Sequence, residues 1–148
     1  MKHKIYLDTS VISALFDERT LERLSMTSEF WSKLNDYEVF VSELVLEELS
    51  RTNEQVRDRM LFSIKDFTVL NVSKQAEELA QIYLKQGIFP EKYFDDALHV
   101  ALASVNQIGI LASWNFTHLV KLKTRRMVSV VNLAENIMPV EIISPPEL

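Results

Sequence analysis

Apolar positions along this chain change their period repeatedly, from short unbroken runs to helical spacing and back. Lys4-Ile-Tyr-Leu7 is a brief apolar run followed at once by Asp8-Thr9-Ser10, after which Val11, Ile12, Leu15 and Phe16 recur at helical spacing. A strand that ends in helix-capping residues fits this order, because Asp, Thr and Ser side chains accept hydrogen bonds from the free amides of a first turn. The spacing predicts a second helix over 27–34. Val39-Phe-Val41 reads as a strand, and Ser42 as the cap of a helix in which Leu44, Val45 and Leu49 face inward. Residues 53–65 read as a charged, exposed helix and the β-branched 68–72 as a strand; Ser73 then caps a helix over 74–86 that Gly87 closes. Pro90 stands where a helix can begin. The pattern over 93–108 is long, almost entirely apolar after Asp96, and stopped by Gly109. Ile110-Leu-Ala-Ser113 reads as a strand, 119–137 as helical, and Val140-Glu-Ile-Ile143 as a last edge strand.

Strands that alternate with helices imply an α/β domain with a mostly parallel sheet of about five strands and helices on both faces. No repeat, low-complexity tract or long linker divides the chain, so 1–148 is expected to form one domain. At this length the fold buries roughly 68–70% of the surface of its unfolded chain.

Composition removes several chemistries. Gly87 and Gly109 are the only glycines, too few for a dinucleotide fingerprint or a phosphate-binding glycine loop. With no cysteine there is no disulfide, thiolate zinc site or thiol nucleophile, and His3, His99 and His118 show no paired metal-ligand spacing. No segment approaches the ~20 apolar residues of a membrane span, and Asp8 interrupts the N-terminal apolar run too early for a signal peptide. A cytoplasmic protein is the expectation, with which the lack of cysteine agrees.

Carboxylates remain, 21 Asp and Glu against 16 Lys and Arg. In open parallel sheets ligands bind beyond the carboxyl ends of the strands, so polar residues just after strands carry most weight. These are Asp8 with Thr9 and Ser10, then Ser42 with Glu43, Glu47 and Glu48, then Ser113-Trp114-Asn115. Asp95 and Asp96 join them at the start of the apolar helix. Each has a plain structural reading as well: Asp8 as an N-cap, Asp95 and Asp96 as charges at the positive end of a helix, most of the glutamates as a solvated face. Acids converging on one cleft repel one another unless a cation neutralises them, and hard divalent ions take oxygen ligands. Mg²⁺ or Mn²⁺ held by carboxylates activates water against a phosphodiester, which makes a metal-dependent hydrolase the leading reading.

Ile5-Tyr-Leu-Asp8-Thr-Ser, Ser42 with Leu46-Glu-Glu48-Leu49, Asp96-Ala-Leu-His-Val-Ala101 and Leu111-Ala-Ser-Trp-Asn115 follow one another in an order that resembles the PIN domain. The chain is similar in particular to VapC-type toxins of bacterial toxin–antitoxin pairs, from Lys4 to the C-terminal Pro-Pro-Glu-Leu. The resemblance implies a three-layer α/β/α fold and a Mg²⁺- or Mn²⁺-dependent RNA endonuclease, with a partner antitoxin and a homodimeric state. Carried over by position, Asp8, Glu48 and Asp96 are the metal-binding acids. Glu48 matches better than Glu43 or Glu47 because Leu49 follows it, and Asp95 is the runner-up to Asp96. The fourth acidic position falls on Asn115, which removes one charge and leaves a second metal open. An antitoxin peptide is expected on apolar surface near Phe16, Phe30 and Trp31.

Charge placement bears on the substrate. No acid occurs over 97–134, whereas Lys121, Lys123, Arg125 and Arg126 do, just beyond Asn115 and His118. That stretch is a candidate cationic rim for RNA phosphates, or else a solvated helix face. Thr9 and Ser113 offer hydroxyls to phosphate or to a helix cap; His118 lies beside the cleft. His99, among apolar neighbours, reads as a hydrogen-bonded core histidine, and Trp114 as core before base-stacking platform. Two rivals stand beside the ribonuclease: a Mg²⁺-dependent phosphatase or phosphotransfer domain with Asp8 as nucleophile, and a non-catalytic binding module of the same fold.

Overall fold

A computed structural model describes every residue from Met1 to Leu148. Five strands, β1 (His3–Leu7), β2 (Tyr37–Ser42), β3 (Thr68–Leu70), β4 (Ile110–Ala112) and β5 (Glu141–Ile143), form one sheet in the order β3-β2-β1-β4-β5. Every neighbouring pair is parallel, so the sheet is wholly rather than mostly parallel. The chain steps outward from β1 to β3, then crosses back to β4 on the other side of β1. That reversal creates the switch point at the carboxyl ends of β1 and β4.

Seven helices connect the strands: α1 (Thr9–Ala14), α2 (Leu21–Lys33), α3 (Glu43–Ser50), α4 (Glu54–Ser63), α5 (Lys74–Lys85), α6 (Phe94–Val105) and α7 (Leu122–Ala134). The consecutive residues Ile5, Tyr6 and Leu7 are all fully buried. Because successive strand side chains point to opposite faces, both faces of β1 are covered. α6 is shut in on all sides: Ala97 through Ser104 are buried without exception. Polar residues just ahead of four helices start them as their types dictate. The side chains of Asp8, Ser42, Asn53 and Ser73 accept from backbone amides of α1, α3, α4 and α5 respectively. No helix is long and apolar enough to cross a membrane.

Several boundaries differ from the sequence expectation. α2 begins at Leu21, not 27, because its first turns are exposed or half-buried and carry no apolar stripe to read. α6 stops at Val105, short of Gly109; Gln107 takes the left-handed position (φ 57°) and the Ile108 amide bonds back to the Ala103 carbonyl at 2.9 Å. α7 starts at Leu122 because the preceding loop turns on Asn115, whose carbonyl accepts from the amides of Leu119 and Val120. The expected apolar docking patch also needs correcting. Phe30 lies in the core at 1% exposure, and half-buried Trp31 packs against Phe67 with ring centroids 5.7 Å apart. The inward face of α2 holds Phe30, so only Phe16 and Trp31 of that trio reach the surface in part.

Leu111 is fully buried on β4, between β1 and β5. Leu111→Ala is expected to destabilise the fold by about 2–5 kcal/mol through lost burial and the cavity left behind. Urea unfolding should show a lower midpoint at an unchanged slope.

Candidate active site

Asp8 follows β1 directly and is 4% exposed. Its Oδ1 accepts from the Ser10 hydroxyl and from the Val11 amide (3.3 Å), and its Oδ2 accepts from the Ser113 hydroxyl. The two serines are anchored in turn by the loop after β4: the Trp114 amide donates to Ser10 Oγ and the Asn115 amide to Ser113 Oγ, both at 2.9 Å. Burial pushes the Asp8 carboxyl up; His99 and these hydrogen bonds offset only part of that, so it remains raised.

Glu48 reaches the same region from α3. Its Oε1 accepts from the Thr9 hydroxyl at 2.6 Å and lies 2.7 Å from Nε2 of His99. Burial pushes Glu48 up, but the hydrogen bond and charge of His99, helped by Thr9, outweigh it and hold the carboxyl below its ordinary value. His99, 3% exposed on α6, completes a chain inward. Its Nδ1 is 2.7 Å from the Tyr6 hydroxyl, which is 2.8 Å from Ser42 Oγ. Burial pulls His99 down, yet the hydrogen bond to Glu48 and the charges of Asp8, Glu48 and Asp96 leave it raised. As an imidazolium it donates from both nitrogens, to Glu48 and to Tyr6, and the phenol can then donate to Ser42.

Asp96 stands in the first turn of α6 with Oδ2 3.0 Å from Nδ1 of His118, whose ring rests 3.8 Å from that of Tyr93. Burial raises Asp96, and repulsion from Asp8 and Glu48 adds to it, against the pull of His118 and His99. Three acids from β1, α3 and α6 therefore lie within electrostatic reach of one another.

The remaining sequence candidates divide. Glu43 accepts from the Val72 amide at 2.8 Å and Glu47 pairs with Arg51 in solvent at 2.9 Å, so neither shares the contacts of Glu48. Asp95 joins none of these hydrogen bonds. The Asn115 side-chain oxygen accepts from the His118 amide at 3.0 Å, which ties the loop that carries both residues. Thr9 and Ser113 donate their hydroxyls to Glu48 and Asp8 rather than standing free. Lys121, Lys123 and Arg126 are exposed, while Arg125 lies 3.7 Å from Glu147. The network also contains Ser10 and Ser42, marked in the sequence by their places just after strands, and Tyr6, which reading for acids passed over. A tyrosine in an otherwise aliphatic strand was the available signal, since a buried phenol needs a hydrogen-bond partner.

An oxygen-rich donor set with an excess of negative charge suits a hard divalent cation. As the side chains stand, however, no three acids or histidines close around a common point. Glu48 is turned to His99, Asp96 to His118 and Asp8 to its two serines. Metal capture would require Glu48 or Asp96 to exchange a histidine for the cation. The largest cavity, about 570 Å³, lies elsewhere, at the amino ends of β2 and β3 beside Lys2, Tyr37 and Thr68.

A family model described as the PIN domain matches residues 5–113. Among solved structures, the chain is similar to VapC20 of Mycobacterium tuberculosis, a sarcin–ricin loop cleaving toxin, at 20% identity over 77% of this chain and 92% of that one, with TM-score 0.63. VapBC-1 of nontypeable Haemophilus influenzae shares 18% identity over 96% and 98%, TM-score 0.61. VapBC2 of Rickettsia felis, solved with a promoter DNA fragment, shares 12% over 95% and 98%, TM-score 0.58. No curated protein matches the chain.

Asp96 supplies a pH test on metal-free protein. A carboxyl raised by folding costs nothing below the ordinary carboxylate range, and its penalty grows as pH climbs through the raised value. Asp96→Asn removes that penalty while an amide oxygen still faces His118. In EDTA at neutral pH the variant should melt above the parent, and the difference should vanish near pH 3, roughly a unit below the ordinary carboxylate value.

Proposed function

The chain belongs to the PIN-domain family, and on that premise we propose that it is a Mg²⁺- or Mn²⁺-dependent endoribonuclease, the toxin of a toxin–antitoxin pair. One observation carries the reading: Glu48 bonds the buried His99 at 2.7 Å, and Asp8 at the end of β1 and Asp96 in the first turn of α6 stand near enough for their charges to bear on that same imidazole. Capping of α1 by Asp8 and the bond of Glu48 to His99 do not require three acids to be gathered together, since their mutual repulsion opposes folding.

Asp8, Glu48 and Asp96 would hold the cation, with Asn115 as a fourth oxygen donor. A bound Mg²⁺ or Mn²⁺ supplies an activated water and stabilises charge on the leaving oxygen of the phosphodiester. The chain's own residues prepare for it. Ser10 and Ser113 fix the orientation of Asp8, Thr9 and His99 that of Glu48, and His118 that of Asp96, in the way outer-shell partners orient ligating groups. Lys121, Lys123 and Arg126, exposed after the loop that carries His118, would attract phosphates without reading sequence, with Arg125 partly engaged by Glu147. Hydrogen bonds on both oxygens of Asp8 disfavour it as a phosphotransfer nucleophile. The proposed setting is the cytoplasm, as a homodimer restrained by an antitoxin protein. The VapBC fold relatives support that partner.

Two readouts test the proposal. Purified protein with Mn²⁺ should cleave single-stranded or structured RNA, and EDTA or Asp96→Asn should reduce cleavage to background; cleavage that survives both overturns the assignment. Mn²⁺ should also raise the melting temperature of the parent by mass action, with a much smaller rise in Asp96→Asn.

A further inference from the structure

A small pocket that holds none of the three carboxylates lies where the first turn of α2 meets Trp114. It measures about 180 Å³ and is lined by Thr20, Glu22, Arg23, Met26 and Trp114. An enclosed apolar cavity of ~150 Å³ accommodates benzene, so an open one of this size admits a single nucleobase. Trp114 joins the pocket to the catalytic region: its amide donates to Ser10 Oγ, and that hydroxyl donates to Asp8. Its indole is locked by a 2.9 Å hydrogen bond from Nε1 to Thr27. The Arg23 guanidinium lies 4.9 Å from the centre of the Trp114 ring. Phe116, 49% exposed, meets the same ring edge-on at 6.0 Å.

Arg23 thus covers the ring of the buried Trp114, and its guanidinium is the plane left open to a base. Glu22 and Arg23 are both exposed, adjacent on the first turn of α2, and absent from every ion pair of the chain. A carboxylate would repel a phosphate, so the pocket does not suit the RNA backbone. It does suit a base with adjacent N–H donors. Guanine alone among the four presents two such donors side by side, N1–H and N2–H, to the two oxygens of a carboxylate. Its O6 and N7 are the acceptors that arginine pairs with most often. Unstacked bases of single-stranded RNA are held in this manner, on aromatic or guanidinium planes and by their polar edges.

We propose that the Glu22–Arg23–Trp114 pocket binds one unpaired guanine of the RNA, next to the phosphodiester that is cut. This deepens the ribonuclease reading and rests on it. The test needs neither metal nor cleavage, so the two can fail separately. In Trp31→Phe protein the single remaining indole N–H, that of Trp114, reports the pocket by NMR. Titration in EDTA with the four nucleoside 5′-monophosphates, and with guanosine alone, is expected to shift this signal at least about tenfold more tightly for guanine than for uracil. Guanosine without phosphate should keep the preference. Glu22→Gln should abolish it, and Arg23→Ala should weaken guanine binding by a similar factor. Equal response to all four bases, no response, or a guanine preference that survives Glu22→Gln overturns the pocket, whatever the outcome of the Mn²⁺ cleavage assay.

Discussion

Three carboxylates and two imidazoles held largely out of water form the constraint around which this molecule is organised. Burying ionised acids together is unfavourable, and the fold offsets it locally rather than by dispersing them. His99 bridges Glu48 on α3 and Tyr6 on β1 from a place on α6 that is otherwise mostly apolar. Its position demands that α6 lie against the sheet, and the buried alanines and leucines of α6 make that approach possible. Displacing that helix would strand a buried histidine, a phenol and a carboxylate at once, each at the expense of an unsatisfied polar group.

Local helix chemistry and site chemistry use the same atoms. Asp8 caps α1 and is the acid at the end of β1; Ser42 caps α3 and receives the Tyr6 hydroxyl. A choice between capping and function, which the sequence leaves open for these residues, does not arise in the folded chain. The carboxyl ends of parallel strands present helix N-termini with free amides, and a side chain placed to cap one also faces the cleft between them.

The charge distribution has the same two-sided character. An acidic total of −5 would oppose nucleic acid if it were spread evenly. Instead, three acids are drawn into the interior cluster while Lys121, Lys123 and Arg126 stand exposed beyond the loop that carries His118. On the proposed reading a divalent cation would offset two of the three negative charges of that cluster.

Much of the fold was legible in the sequence, because strand–helix alternation, capping residues and the mostly apolar α6 are local patterns that tertiary packing reinforces. The parallel sheet follows from that alternation, and the acids of interest from their places just after strands. Boundaries escaped where no local signal marked them, as at the exposed start of α2 and at the left-handed Gln107. Phe30 was misplaced because an aromatic on a helix shows its face only once the helix has docked. The family pattern singled out Glu48 among the glutamates of α3, but that it bonds His99, and that Thr9, Ser113 and His118 turn toward the acids, was decided by tertiary structure alone. Those contacts join residues 22 to 105 positions apart, and pairing across such distances depends on how the elements pack, which residue type and periodicity do not encode.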